Sequence, residues 1–213
     1  MTKIIAASQI EEIVSYIQAG KVVAFPTETV YGLGVQFQNE EALEKLMKAK
    51  NRDYSKAITL MVANKEEIDD HAYVSDDARK IIDAFMPGML TLVFQKRESV
   101  DDVMTNGKKT IGIRIPDHSL VLQLLQQAGP MLVTSANLSN HPNTTTTKEV
   151  LEQLDGRIDL VVDGKTTDAV ASTVIDVSGK EIKILREGKI TKDQIEEVIK
   201  WKLQLRAIMG DIV

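Results

Sequence analysis

The chain contains no cysteine. Disulfides, thiolate nucleophiles and cysteine-ligated metals are therefore excluded, and the composition is compatible with a reducing cytosol. Histidine is scarce as well: His71, His118 and His141 stand apart, without the spacing of a metal site. No stretch matches a P-loop, a dinucleotide fingerprint or a nucleophile elbow, so neither a protein-built metal cage nor a Ser-His-Asp triad is expected. No apolar run approaches the roughly 18 residues that span a bilayer, and residues 1–7 lack the apolar core of a signal peptide. A cytoplasmic location without membrane partners is the expectation. Positive charge is not in excess either, with 26 Lys and Arg against 31 Asp and Glu for a net charge of −5. The molecule as a whole exerts no long-range attraction on nucleic acid, although a local basic patch is compatible with that balance.

What is present is an ordinary globular composition. Across 213 residues, 43% are hydrophobic and 27% charged, enough to bury a sizeable core and too apolar for disorder. No linker or repeat divides the chain, so residues 1–213 are expected to form one domain, with a core over about 8–190 and a C-terminal helix over 191–207.

Apolar periodicity alternates between the two regular structures. Ser8 and Glu11 form a capping box ahead of Ile10, Ile13, Val14 and Ile17, a first helix stopped by Gly20. Lys21 to Pro26 reads as a buried strand that delivers Thr27 to Gly34 to a rim. A helix over Ala42 to Met47, a strand over Ile58 to Val62, and a helix capped by Ser75 and halted at Pro87-Gly88 follow. Further strands are predicted at Leu90 to Phe94, Thr110 to Ile115, Met131 to Val133, Leu160 to Val162, Thr173 to Val177 and Ile182 to Leu185. Helices are predicted at Ser119 to Ala128, Thr147 to Leu154 and from Thr191 past Trp201. About seven strands and five or six helices imply an α/β fold around one twisted mixed sheet.

Five polar clusters fall at strand ends, where open α/β sheets place ligand sites. Thr27, Glu28, Thr29 and Tyr31 precede Gly32 and Gly34. Hydroxyls there suit a small polar ligand that the glycines let the backbone approach, and an ordinary strand-to-helix turn is the alternative. Lys48, Lys50, Arg52 and Lys56 form a dense basic loop fit for polyphosphate, or simply a solvated face. Arg114 lies inside a strand whose Thr110, Gly112 and Arg114 share one side. A buried arginine needs an anion, which either a substrate carboxylate or an internal Asp or Glu supplies. His118, after the Pro116-Asp117 turn, reads as a capping or surface histidine. Thr134 to Ser139, with Asn143 and the threonines after it, offers hydroxyls and amides to phosphate, ribose or a base edge, or makes turns. Ser172-Thr173 and Arg186-Glu187-Gly188 close the series, with a salt-bridged hairpin as the plain alternative.

Taken in order, PTETVYGLG (26–34), KNRDYSK (50–56), FMPGMLT (85–91), IGIRIPDH (111–118), TSANLS (134–139), DGK (163–165), STVID (172–176) and LREGKI (185–190) resemble the YrdC-type threonylcarbamoyl-AMP synthase family, also called YrdC/YciO/YwlC-like. The resemblance implies that family's twisted sheet with a large concave, positively charged cavity. The activity implied is a nucleotidyltransfer that forms threonylcarbamoyl-AMP and pyrophosphate from L-threonine, bicarbonate and ATP, with Mg2+ carried by the nucleotide. A downstream transfer complex would then pass the threonylcarbamoyl group to tRNA.

By position, the resemblance assigns catalysis to Lys50 and Arg52, and the nucleotide to Arg52, Lys56, Thr110, Asn137, Thr145 and Arg186. L-Threonine falls to Thr29, Arg114, Ser135 and Ser172. Departures are Asn51 and Asp53 for a glycine and a proline, Met61 for a histidine, Asn140 for a glycine, and Met86 for a tryptophan. The additional C-terminal domain of longer family members is not expected. The other readings kept open are a double-stranded RNA or tRNA-binding paralogue without synthase activity, and a carbamoyl-transfer domain.

Overall fold

The computed structural model describes residues 1–53, 56–179 and 181–199. Eleven strands among them make one mixed sheet: β1 (Lys3–Ala6), β2 (Val23–Phe25), β3 (Gly32–Gln36), β4 (Thr59–Met61), β5 (Ala72–Tyr73), β6 (Leu90–Lys96), β7 (Thr110–Arg114), β8 (Met131–Ser135), β9 (Leu160–Asp163), β10 (Thr173–Asp176) and β11 (Lys183–Arg186). The strand order is β1-β9-β2-β3-β8-β4-β7-β6-β10-β11, with β5 paired to β6 off this path. Parallel and antiparallel pairs alternate irregularly. The α/β class and the mixed sheet expected from the sequence are the ones found.

Helices α1 (Ile10–Gln18), α2 (Glu40–Lys50), α3 (Glu66–His71), α4 (Asp76–Phe85), α5 (Ser119–Ala128) and α6 (Thr147–Leu154) flank the sheet. Residues 192–199 are also helical, and Thr191 Oγ1 accepts from the Gln194 amide at their start. The predicted continuation past Trp201 lies outside the described residues. Most starts follow the local chemistry: Asn39, Ser75 and Thr146 each accept from the backbone amide three residues on. Helices α3 and α5 start without a side-chain cap bond, and so does α1, where the sequence offers one. Its N-cap is Gln9, with no side-chain cap bond, so the Ser8-Glu11 box does not form. Gln9 instead accepts from the Ala6 amide and donates to Glu12. Asn51 closes α2 in the left-handed conformation at φ 49°, a place glycine commonly takes and asparagine tolerates.

Two buried clusters cover opposite faces of the sheet. Ala24, Leu33, Leu60, Leu92, Ile113, Leu132 and Val161 pack with α2, α4 and α6. Val23, Phe25, Met61, Met131, Val133, Leu160 and Val162 pack with α1 and α5. The alternation of strand side chains explains the division. On this second face the two helices cover only part of the sheet, and the site described below is its uncovered remainder.

The segment after β2 departs from expectation. Gly32 to Gln36 is not a turn leading to a helix but strand β3, antiparallel to both β2 and β8. Its glycines make room for a ring: a Cβ on Gly34 would sit 2.8 Å from Phe25 Cε1, and one on Gly32 3.0 Å from Cε2. Phe25 is fully buried. Gly34→Ala is therefore expected to cost about 1–3 kcal/mol through overpacking, read from urea unfolding, and adding Phe25→Leu should recover most of it. The short elements β1, β5 and α3 were not anticipated, each having too few residues to show a period.

Candidate functional site

A cavity of about 230 Å3 opens on the uncovered sheet face. Its floor follows from strand register. Gly32 pairs with Ser135, Val133 with Thr59, and Met61 with Arg114. With Thr91 of β6, these residues line one side of the cavity. Thr27 and Thr29 enter from the segment between β2 and β3, Arg52 and Ala57 from the loop after α2, and Ala171, Ser172 and Arg186 from the far end of the sheet. At about 230 Å3 the enclosed part falls below the ~300–1,000 Å3 of a drug-sized pocket, so a larger ligand would extend over the rim.

Arg114 is 5% exposed, and its anion is internal: Nη2 lies 2.7 Å from Glu28 Oε1. Nη2 also donates to Thr29 Oγ1 at 3.2 Å, and Nε donates to the Gly88 carbonyl at 3.1 Å. Arg186 approaches the same end. It donates from Nε to the Ser172 carbonyl and from Nη2 to Ser172 Oγ, which in turn meets Thr91 Oγ1 at 3.0 Å. Burial first, and then the charge of Arg114, lower the Arg186 pKa from its ordinary value, although a guanidinium stays protonated. The antiparallel pairing of β10 with β11 brings Ser172 and Arg186 together. The hairpin forms, and Arg186 is held there by hydrogen bonds to Ser172 instead of an ion pair among the described residues.

Arg52 marks the other end. Nη2 donates to the Ala57 carbonyl at 2.7 Å, while Nε is buried with no partner. Burial lowers the Arg52 pKa as well.

Lys50 takes a different position. It is 1% exposed, and Nζ donates to the Ser135 and Asn137 carbonyls, fixing the turn after β8 from beneath. Burial, then the charges of Arg52 and Lys56, push its pKa down to about 7.

The cavity lining thus unites Thr29, Arg52, Arg114, Ser135, Ser172 and Arg186 of the predicted residues. Lys56, Thr110, Asn137 and Thr145 are not on it. Lys56 is exposed and donates to Asn140 Oδ1 at 2.8 Å. Thr110 begins β7, four residues before Arg114. The Asn137 amide donates to the Leu138 and His141 carbonyls, and Thr145 is tied to Glu149 at the start of α6. Asn140 does adopt the left-handed conformation, at φ 67°. His118 does stand at the head of a helix, as expected of a capping histidine, but half-buried. It occupies the N-cap position of α5 without a side-chain cap bond, and its Nδ1 is buried without a partner. Burial lowers its pKa, opposed by Glu28 and Asp117.

Sequence reasoning missed Thr59 and Thr91 as lining residues. Their only signal is a hydroxyl on the face shared with Gly112 and Arg114, and that face becomes visible only once strands β4, β6 and β7 are paired.

Comparison with known proteins agrees with this architecture. The Sua5/YciO/YrdC family model, described as "Telomere recombination", matches residues 15–188. A Bacillus subtilis protein named threonylcarbamoyl-AMP synthase is 39% identical over 195 residues, 90% of this chain and 56% of the relative. A Methanocaldococcus jannaschii putative threonylcarbamoyl-AMP synthase is 38% identical over 172 residues, covering 80% of this chain and 81% of the relative. The crystal structure of P. abyssi Sua5 complexed with L-threonine superposes with a TM-score of 0.88 at 35% identity, over 93% of this chain and 61% of that one. The chain spans little more than half the length of the first of these relatives. No helix among the described residues is long and apolar enough to cross a membrane.

Proposed function

We propose that the chain is a threonylcarbamoyl-AMP synthase, because it belongs to the Sua5/YciO/YrdC family and its cavity has a seat for a carboxylate beside a separate cation for phosphate. One observation carries the reading. Arg114 and Arg186 line the same end of the cavity with Glu28 as the one buried counter-charge among the described residues, beside the hydroxyls of Thr29, Thr91 and Ser172. A small zwitterion with one carboxylate and polar substituents suits that end, and a relative's complex with L-threonine supports the choice.

In this reading the threonine amino group, once deprotonated, attacks CO2 derived from bicarbonate to give a carbamate. A carbamate oxygen then attacks the α-phosphorus of ATP, forming the P–O bond as the bond to pyrophosphate breaks. No covalent enzyme intermediate is required, and the protein contributes positioning and charge stabilisation. Arg52 lines the cavity and its Nε lacks a partner, which supports a role for this guanidinium in donating to the phosphates. Mg2+ enters as the counter-ion of ATP. The product would serve threonylcarbamoyladenosine modification of tRNA through a downstream transfer complex.

Purified protein with ATP, Mg2+ and bicarbonate should release pyrophosphate only when L-threonine is added. Silence from folded, ATP-binding protein would sink the synthase reading and direct attention to RNA binding. Arg52→Ala should raise the KM for ATP about tenfold or more, the size expected when a charge-assisted contact to phosphate is lost, with an unchanged melting transition. Equal ATP affinity would remove Arg52 from the nucleotide site.

A further inference from the structure

We infer that Glu28 is a positioning residue for the amino-acid carboxylate: it holds Arg114 by one oxygen, so that the opposite nitrogen of the guanidinium stays open to the cavity. The inference deepens the synthase reading and rests on it. Glu28 is 7% exposed and Arg114 5%. A carboxylate retained only to neutralise a buried arginine would be expected to close a two-point fork, both oxygens on both nitrogens. Here the contact is one-pointed. Glu28 Oε1 accepts from Arg114 Nη2 at 2.7 Å and from the Asp117 amide at 2.9 Å, while Oε2 is buried with no hydrogen-bond partner.

The other contacts of the guanidinium point to the same division. Nε is held by the Gly88 carbonyl, and Nη2 is shared between Glu28 and Thr29. Nη1 carries no hydrogen bond among the described residues, and Arg114 lines the cavity. Glu28 is itself held in place. Its backbone carbonyl accepts from Thr167 Oγ1 at 3.1 Å, and on either side Thr27 Oγ1 accepts from the Thr29 amide and donates to the Val30 carbonyl. One oxygen therefore locks the arginine rotamer and the Pro116-Asp117 turn together. Moving that oxygen by one methylene would swing Nη1 away from the ligand.

The test compares Glu28→Gln, which keeps an acceptor at the same reach, with Glu28→Asp, which keeps the charge but withdraws it. Steady-state kinetics with both substrates is combined with calorimetric binding of L-threonine and of L-threoninol, its analogue without a carboxylate. Glu28→Asp is expected to raise the KM for L-threonine tenfold or more, to leave the KM for ATP within twofold, and to erase the preference for L-threonine over L-threoninol. Glu28→Gln should stay within about threefold of the unmodified protein in all three. The inference is overturned if Asp is tolerated and Gln is not, since charge rather than placement would then matter, or if the two KM values rise together. Should Glu28→Asp fail to fold, Glu28→Gln decides alone: retained preference is the expected result and its collapse overturns the inference. Unmodified protein that binds L-threonine in preference to L-threoninol without releasing pyrophosphate would sink the synthase reading alone. Unmodified protein that shows no such preference would overturn the inference.

Discussion

Arg114→Met is expected to abolish L-threonine-dependent pyrophosphate release and to destabilise the protein by about 3–5 kcal/mol, the usual consequence of removing one partner of a buried ion pair. Both effects follow from one contact. Glu28, nine-tenths buried, has Arg114 as its only cationic partner among the described residues, so removing the guanidinium leaves a charge in the core with only the Asp117 amide to satisfy it. The double variant Arg114→Met/Glu28→Gln removes that charge too. It should regain more than half of the lost stability while remaining inactive. Urea unfolding of the two variants, beside the pyrophosphate assay, checks this. A loss below about 1 kcal/mol in the single variant would mean that Glu28 is not left as an uncompensated charge.

Lys50→Met carries the second large effect. Its ammonium lies among the carbonyls of Ser135 and Asn137; without it the Asn137 carbonyl beneath the cavity loses its donor, at about 1–3 kcal/mol, and the Ser135 carbonyl keeps only the Asn137 amide. The turn bearing Ser135 would loosen, and turnover should fall by at least a hundredfold, since a displacement of about 1 Å can have that effect.

The pH dependence should identify the residue. Burial puts the folded-state pKa at about 7, against 10.5 for the exposed amine. Below pH 7 both states bind the proton and stability does not change with pH on this account. Between pH 7 and 10.5 the unfolded chain binds more protons, so this group adds stability as pH rises, by up to about 1.4 kcal/mol per unit. The stability difference between unmodified protein and Lys50→Met, followed from pH 6 to 10, should therefore widen in favour of lysine above pH 7. A flat difference would show that the amine is not desolvated.

The local sequence revealed elements wherever a single periodicity and a single end signal sufficed. Helices α5 and α6 run over the residues predicted for them, because a stripe of Leu and Val, or a Thr-to-Glu cap, is complete within ten residues. Strand β3 was hidden because its glycines carry two meanings, and only the buried Phe25 ring selects the strand. The Ser8-Glu11 pair shows the converse, a cap pattern unused because Gln9 occupies the N-cap.

By itself, then, the sequence determined the α/β class, the family and which segments are rich in ligand-binding groups. These depend on residue type and on spacing along the chain. Only the tertiary structure decided how those groups divide their labour. Arg114 could have met an internal or an external anion, and the choice fell to Glu28, 86 residues away. Lys50 belongs to a run of cations that reads as one phosphate-binding loop, yet it turns inward to carbonyls 85 and 87 residues distant. Such partners are set by strand pairing and burial, and the energy of a charge depends on what surrounds it in space rather than on its neighbours in sequence.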